Sequence, residues 1–407
     1  MLFAAFVALV SLARPSSWLD PISVLLLVSA DDAINNINVA AVLDPPALDP
    51  QTFAEAFVDA FVAPHPRLLS VIRRVPFIGW CQWVELESFD PADHVHVHHA
   101  IIDHLALEQL TADLLGRPLA VDSPLWDLHL FPAYTRDDGA VCMAFVFRIH
   151  HVLGDGVTLA RLFYSGFDGV VSPFSRQAHT LRTFRRPGAA LPLSARFTQS
   201  GTAIWRLLFS TPDPPSALKR DESEYLAPTG SRVAAFATAT ARLAPLKAAA
   251  RDLGVTINDV LLAVLAGALR TLALASSRPL APVTSVVWVS LQPLRTMFTP
   301  LDMPPAPCWG NSHLGFVYVT LPLDQSDPLA RVHAVHTQTT ALLSAPDAAL
   351  GSLLMAILGC IPRPILRPLW RLTAYKISSS MSNMPGPAAE LSLAGRRLTR
   401  RRLLHPR

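Results

Sequence analysis

Thirty-six prolines are scattered through a 407-residue chain of which half is apolar. Proline removes a backbone donor and breaks both helix interiors and central strands. That spacing argues against a helical membrane bundle and calls for short elements packed in layers. The two longest apolar runs, Leu2–Ala13 and Ala348–Ile361, fall short of the ~20 residues a spanning helix needs. The first ends at Arg14 and lacks a basic leader. It reads as an apolar N-terminal segment, 1–17: an interfacial anchor, a signal peptide or a frayed start.

Only 16% of residues are charged, and mean hydropathy is +0.34. This balance points to greasy cavities, a membrane-facing surface, or both. A net charge of +3 lacks the dense basic footprint of a nucleic-acid binder. Cys81, Cys142, Cys308 and Cys360 lie far apart with no CxxC pair, so neither a disulfide framework nor a thiolate metal site is expected.

Periodicity divides the chain in two. In 18–174, a strand-like run (Ile22–Ser29) precedes a helix over Asp49–Phe61 with Asp49 or Thr52 as its cap. A strand-like stretch (His94–His99), a helix near Ile101–Leu115, a strand (Val141–Ile149) and a helix after Gly156 follow. In 232–407, a strand (Val233–Ala241), a helix (Ile257–Leu274), two strands (Val283–Val289, Leu314–Leu321) and a helix (Asp327–Leu343) are expected. The Arg- and Pro-rich stretch 175–231 reads as a crossover linker, with a membrane patch at Arg182, Arg185 and Arg186 as the alternative. Strands interleaved with helices in both halves indicate an α/β or α+β sandwich. His94, His96 and His98 alternate as on one strand face, but lack further ligands at local spacing, so no metal is expected. The basic tail from Arg396 to Arg402 reads as a solvated, disordered end, with binding to anionic lipid as the alternative.

Chemistry concentrates at Phe147-Arg148-Ile149-His150-His151-Val152-Leu153-Gly154-Asp155-Gly156. An apolar strand delivers two histidines into a glycine-bearing turn, and imidazole titrates near neutral pH, as a general base requires. Asp155 reads as a turn-holding group, and Gly156 as a residue of unusual backbone geometry.

This segment carries an HHxxxDG signature. With Ser123-Pro124-Leu125-Trp126, Thr256-Ile257-Asn258-Asp259-Val260, Gly310-Asn311 and Ser382-Asn383-Met384-Pro385-Gly386-Pro387, it resembles the wax ester synthase/diacylglycerol acyltransferase family over most of the chain. The resemblance implies two chloramphenicol-acetyltransferase-like domains with a substrate tunnel at their interface. It implies His151 as base, His150 and Asp155 as supporting residues, and acyl-CoA as co-substrate with no permanently bound cofactor. Asn258 and Asp259 would lie near the cleft, although Thr256 or Asn258 also reads as a helix cap. Trp126 reads as packing, and Asn383 and Gly386 as shaping a turn. The implied acceptor is a long-chain alcohol or diacylglycerol. The implied setting is a membrane or lipid-droplet surface, at the cytosolic face of the endoplasmic reticulum in a eukaryotic host. Members of the family usually continue beyond the last motif, so an incomplete second sheet with an open edge is expected. A catalytically silent lipid-binding relative is the alternative from another class. A BAHD-type enzyme is disfavoured because no DFGWG motif occurs.

Overall fold

A computed structural model describes residues 17–29, 35–75, 80–167, 212–216, 218, 243–292, 309–344, 346–374, 377–384 and 391–404. In the first half, helix α1 (Pro21–Ser29) precedes β1 (Asn36–Leu43), α2 (Pro50–Phe57), β2 (Ser70–Arg74), β3 (Cys81–Glu85) and β4 (Val95–Val97). Then come α3 (His104–Leu115), β5 (Trp126–Thr135), β6 (Val141–His150) and α4 (Gly156–Ser165). The second half holds α5 (Leu243–Asp252), α6 (Ile257–Ala275), β7 (Val283–Ser290), β8 (Leu314–Leu321), α7 (Pro328–Ser344) and α8 (Asp347–Gly359). It closes with α9 (Arg363–Ala374), β9 (Ser379–Met381), β10 (Ser392–Leu393) and β11 (Arg396–Leu404).

The main sheet has the order β10-β11-β1-β6-β5-β4, and a second sheet runs β8-β7-β9. Both main-sheet faces are covered. Phe53 and Phe57 of α2 pack on Phe145 and Phe147 of β6, and Phe61, beyond the helix, stacks on Phe57. On the other face, Leu107 and Leu114 of α3 meet Ala40, Val42, Ala144 and Val146. β1 is buried along its whole length, as a central strand covered on two sides must be. A buried ion pair ties this sheet to the end of α3. Arg148 forks onto the Asp127 carboxylate and also donates to the carbonyls of Leu114 and Arg117 (2.8 and 2.9 Å).

Three sequence expectations change. Ile22–Ser29 is a helix: Pro21 opens α1, Asp20 accepts from the Ser23 amide (3.0 Å), and every residue is buried. An apolar run buried on all sides has no period to separate helix from strand. α1 packs on α8 and shares a core with Val286 and Phe316, so it joins the two halves. The strand expected at His94–His99 is only Val95–Val97, with His94 ending a 3-10 turn. The basic tail is strand β11, antiparallel to β1 from Asn38↔Leu404 to Leu43↔Leu398. It turns back from β10 through Ala394 and Gly395, both with positive φ (51° and 70°), the conformation that two-residue hairpins demand. A charge-rich strand suits this position near a sheet edge. The chain therefore returns from its second half to complete the first sheet.

α6 is the one described helix long and apolar enough to cross a bilayer by length and composition. It is capped by a Thr256/Asp259 capping box and lays Leu262, Ala266 and Leu269 against Val317 and Val335. The expected strand 233–241, most of 175–231, and residues 1–16 lie outside the described residues. Within the linker, Asp213 accepts hydrogen bonds from the Thr284 amide (2.7 Å) and hydroxyl (2.6 Å), pinning it to β7.

Candidate active site

β6 ends at His150, and a single 3-10 turn, His151–Leu153, leads to Asp155 and α4. His150 is buried, and its Nδ1 accepts the Val152 amide (3.1 Å), so this ring caps the turn. An accepting Nδ1 is an unprotonated one. Burial, aided by the neighbouring His151, pushes the His150 pKa down to about 3.

His151 is differently placed. Its amide donates to the Asn35 carbonyl (2.8 Å), and its side chain is only partly buried. Its Nδ1 lies 3.1 Å from Oδ1 of Asn311. The Asn311 amide orientation is settled by its other contacts, because Nδ2 donates to the His151 carbonyl (2.8 Å) and to Ser23 Oγ (3.1 Å). Oδ1 must therefore accept, Nδ1 of His151 carries the proton, and Nε2 is the basic nitrogen. Burial holds this imidazole below its ordinary pKa, against the opposing pull of a backbone hydrogen bond, Asp155 and Asn311.

Asn311 is itself fully buried and clamped. Asp20 accepts its amide (3.0 Å) as well as the Ser23 amide (3.0 Å) and hydroxyl. A carboxylate at the start of α1 thus sets an asparagine before β8, which sets the imidazole after β6. Asp20 and Ser23 escaped the sequence analysis, since nothing local marks a helix cap as a partner of residues 151 and 311.

Asp155 is the N-cap of α4. Its carboxylate accepts the Thr158 amide (2.8 Å) and Gln292 Nε2 (3.4 Å), and its amide donates to the Gly310 carbonyl (3.1 Å). Burial raises its pKa against the counteracting Thr158 bonds. Gly156 is a correction: it is the first helical residue, with no left-handed backbone. Its missing Cβ instead makes room for Met384, whose Cε and Sδ would lie 3.2 and 3.3 Å from that atom.

The remaining expected residues divide. Trp126 is buried, and its Nε1 donates to the Leu68 carbonyl (2.8 Å). Asn258 accepts from Asn383 Nδ2 (2.6 Å), and Met384, the next residue, touches α4 at Gly156. This turn therefore links α6 to the start of α4. Thr256, not Asn258, caps α6. Asp259 turns away into the second half, accepting from Thr339 (2.6 Å), bonded to His336 (2.8 Å) and closing the capping box. Burial would raise its pKa, but the Thr339, His336 and Thr256 bonds hold it below the usual carboxylate value. It is a structural anchor between α6 and α7. Gly386 lies outside the described residues.

Residues 22–261 match the model of the wax ester synthase/diacylglycerol acyltransferase catalytic domain, and residues 309–405 match that of the WS/DGAT C-terminal domain. A Mycobacterium tuberculosis protein described as a probable diacyglycerol O-acyltransferase is 25% identical over 406 residues, spanning 91% of this chain and 82% of its own. The wax ester synthase/diacylglycerol acyltransferase 4 of Arabidopsis thaliana is 30% identical over 132 residues, 31% of this chain and 24% of its own. The fold is that of the wax ester synthase/diacylglycerol acyltransferase from Marinobacter aquaeolei (TM-score 0.59, 18% identity, covering 96% of this chain and 87% of that one). It is also that of the first condensation domain of the CDA synthetase (TM-score 0.55, 16% identity, covering 96% and 86%).

Proposed function

The chain belongs to the wax ester synthase/diacylglycerol acyltransferase family, and from the geometry of its two-histidine turn we propose that His151 is the general base of the acyl transfer. The protein is an acyl-CoA-dependent O-acyltransferase that esterifies diacylglycerol or a long-chain alcohol. One observation carries the assignment of the base. Asn311, itself held by Asp20, fixes the Nδ1–H tautomer of a neutral imidazole and leaves Nε2 to take a proton.

Nε2 removes the acceptor's hydroxyl proton as that oxygen bonds to the thioester carbonyl carbon. The tetrahedral oxyanion then collapses, the C–S bond breaks, and the imidazolium returns the proton to the departing CoA thiolate. His150 supports this by capping the turn, and Asp155 by starting α4 and bonding to Gly310. Purified protein given palmitoyl-CoA with hexadecanol or dipalmitoylglycerol is expected to release free CoA and form ester. Binding of both lipids without turnover would instead favour a silent lipid-binding relative.

The acceptors are membrane lipids, and α9 offers a surface suited to them. Pro364, Ile365, Pro368 and Leu369 are exposed along it, Leu366 is buried beneath, and Arg363 and Arg367 share the helix. Apolar residues with flanking arginines suit an interfacial helix on anionic lipid. We place this helix on the substrate-bearing membrane or lipid-droplet surface, which in a eukaryotic cell is the cytosolic face of the endoplasmic reticulum or of a droplet. Flotation with phosphatidylserine-containing vesicles tests it: Ile365→Asp with Leu369→Asp should release most bound protein, and undiminished flotation would reject α9 as the contact.

A further inference from the structure

We propose that His96, Asp127 and His129 form a binding site for a divalent transition-metal ion of the Zn²⁺ class. Residues 94, 96 and 98 alone give no such site, because His94 is occupied elsewhere, with Nδ1 2.6 Å from the Trp126 carbonyl and Nε2 3.0 Å from Ser123 Oγ. The partners come from the adjoining strand. β4 and β5 pair in parallel with His96 opposite His129, and Asp127 lies two residues before His129, on the same sheet face. The ligating atoms of all three lie within 4.8 Å of one another.

A second observation points to a ligand. His129 is 7% exposed, and its Nε2 is buried without a hydrogen bond. Buried polar atoms are normally satisfied. That nitrogen sits 3.3 Å from Asp127 Oδ1, close enough to attract but misaligned for a hydrogen bond. At its other side, Nδ1 is 2.9 Å from His98 Nε2. When Nδ1 donates to His98, the lone pair of Nε2 and the Asp127 carboxylate face one another, and a cation between them satisfies both. A ligating imidazole characteristically donates its other ring N–H to an acceptor that fixes its tautomer, and His98 Nε2 can take that place here.

Each carboxylate oxygen has two lone pairs, so Asp127 can retain the Arg148 fork while binding a metal. The positive charge of Arg148 opposes the ion and limits affinity. His96 and Asp127 also border an open surface cleft of about 170 Å³, where water can complete a tetrahedral set of three protein ligands plus one. A bound ion staples the three-residue edge strand β4 to β5, the neighbour of the strand that presents the catalytic turn.

The test uses the full chain, stripped with EDTA and titrated with ZnCl₂ while bound zinc and thermal midpoint are followed. Wild type should take up one equivalent and melt at higher temperature. His96 is exposed, so His96→Ala should fold normally yet bind Zn²⁺ at least ~100-fold more weakly, since loss of mere supporting residues costs roughly 10–100-fold. His129→Gln should likewise lose the zinc-induced rise in midpoint. No saturable uptake by wild type, or equal affinity in His96→Ala, overturns the site, the latter marking adventitious binding by other histidines. Neither result bears on acyl transfer, which His151 reports separately.

Discussion

His151→Ala should lower kcat by roughly 10²–10⁴-fold, the usual worth of a positioned general base, with little change in KM for acyl-CoA. The ring is partly exposed and fills no core position, so the variant should retain the far-ultraviolet spectrum of wild type. Asn311 Oδ1 loses its partner, a cost of about 1–3 kcal/mol if water does not replace it. The pH profile gives an independent handle. The base must be neutral to act, and burial holds its pKa below the ordinary 6.5. Wild-type kcat/KM should therefore stay level down through neutral pH, with its acid limb below 6.5. Stability has the same sign. The folded chain keeps His150 and His151 neutral, whereas the unfolded chain binds protons below its ordinary histidine pKa, so stability present above pH 6.5 is lost as pH falls. Rates at low pH must be initial rates, so that loss of fold is not counted as loss of base. Undiminished turnover in His151→Ala would refute the assignment.

The legible parts of this site were the contiguous ones. An apolar strand opening into a turn is a local pattern, and residues 141–156 fold as their periodicity indicates. The groups that give His151 its tautomer are not local. Asn311 is 160 positions away, and Asp20 immediately precedes a helix whose burial on all sides hid its period. β11 was missed because its arginines resemble a solvated end, while its partner β1 lies at the opposite end of the chain. The histidine cluster repeats the lesson. Asp127 and His129 sit in plain view beside the Trp126 motif, but only strand pairing shows that His96 stands opposite them. Periodicity reports which face a residue occupies; it says nothing of which strand comes alongside.

The chain of contacts from Asp20 to His151 makes a glycine outside the catalytic turn decisive. Gly310 has φ +94°, where an L side chain is strained, and a Cβ built on it would fall 2.1 Å from Asp20 Oδ2. Its amide and carbonyl are already committed to Leu153 (2.9 Å) and Asp155 (3.1 Å), so the backbone cannot retreat without disturbing the catalytic turn. Gly310→Ala must therefore displace the Asp20 carboxylate, releasing the Asn311 amide and loosening the amide that orients His151. A misplacement of about 1 Å in a reacting group can cost ~10²-fold in rate. We expect a fall in kcat of that order, with about 1–3 kcal/mol of lost stability from the strained backbone. The double variant separates strain from collision. Asp20→Ala removes the obstructing carboxylate, so adding Gly310→Ala to it should lower kcat little further. Full additivity of the two losses would mean that Asp20 and Gly310 act on the imidazole by separate routes, and the relay from α1 to His151 would have to be abandoned.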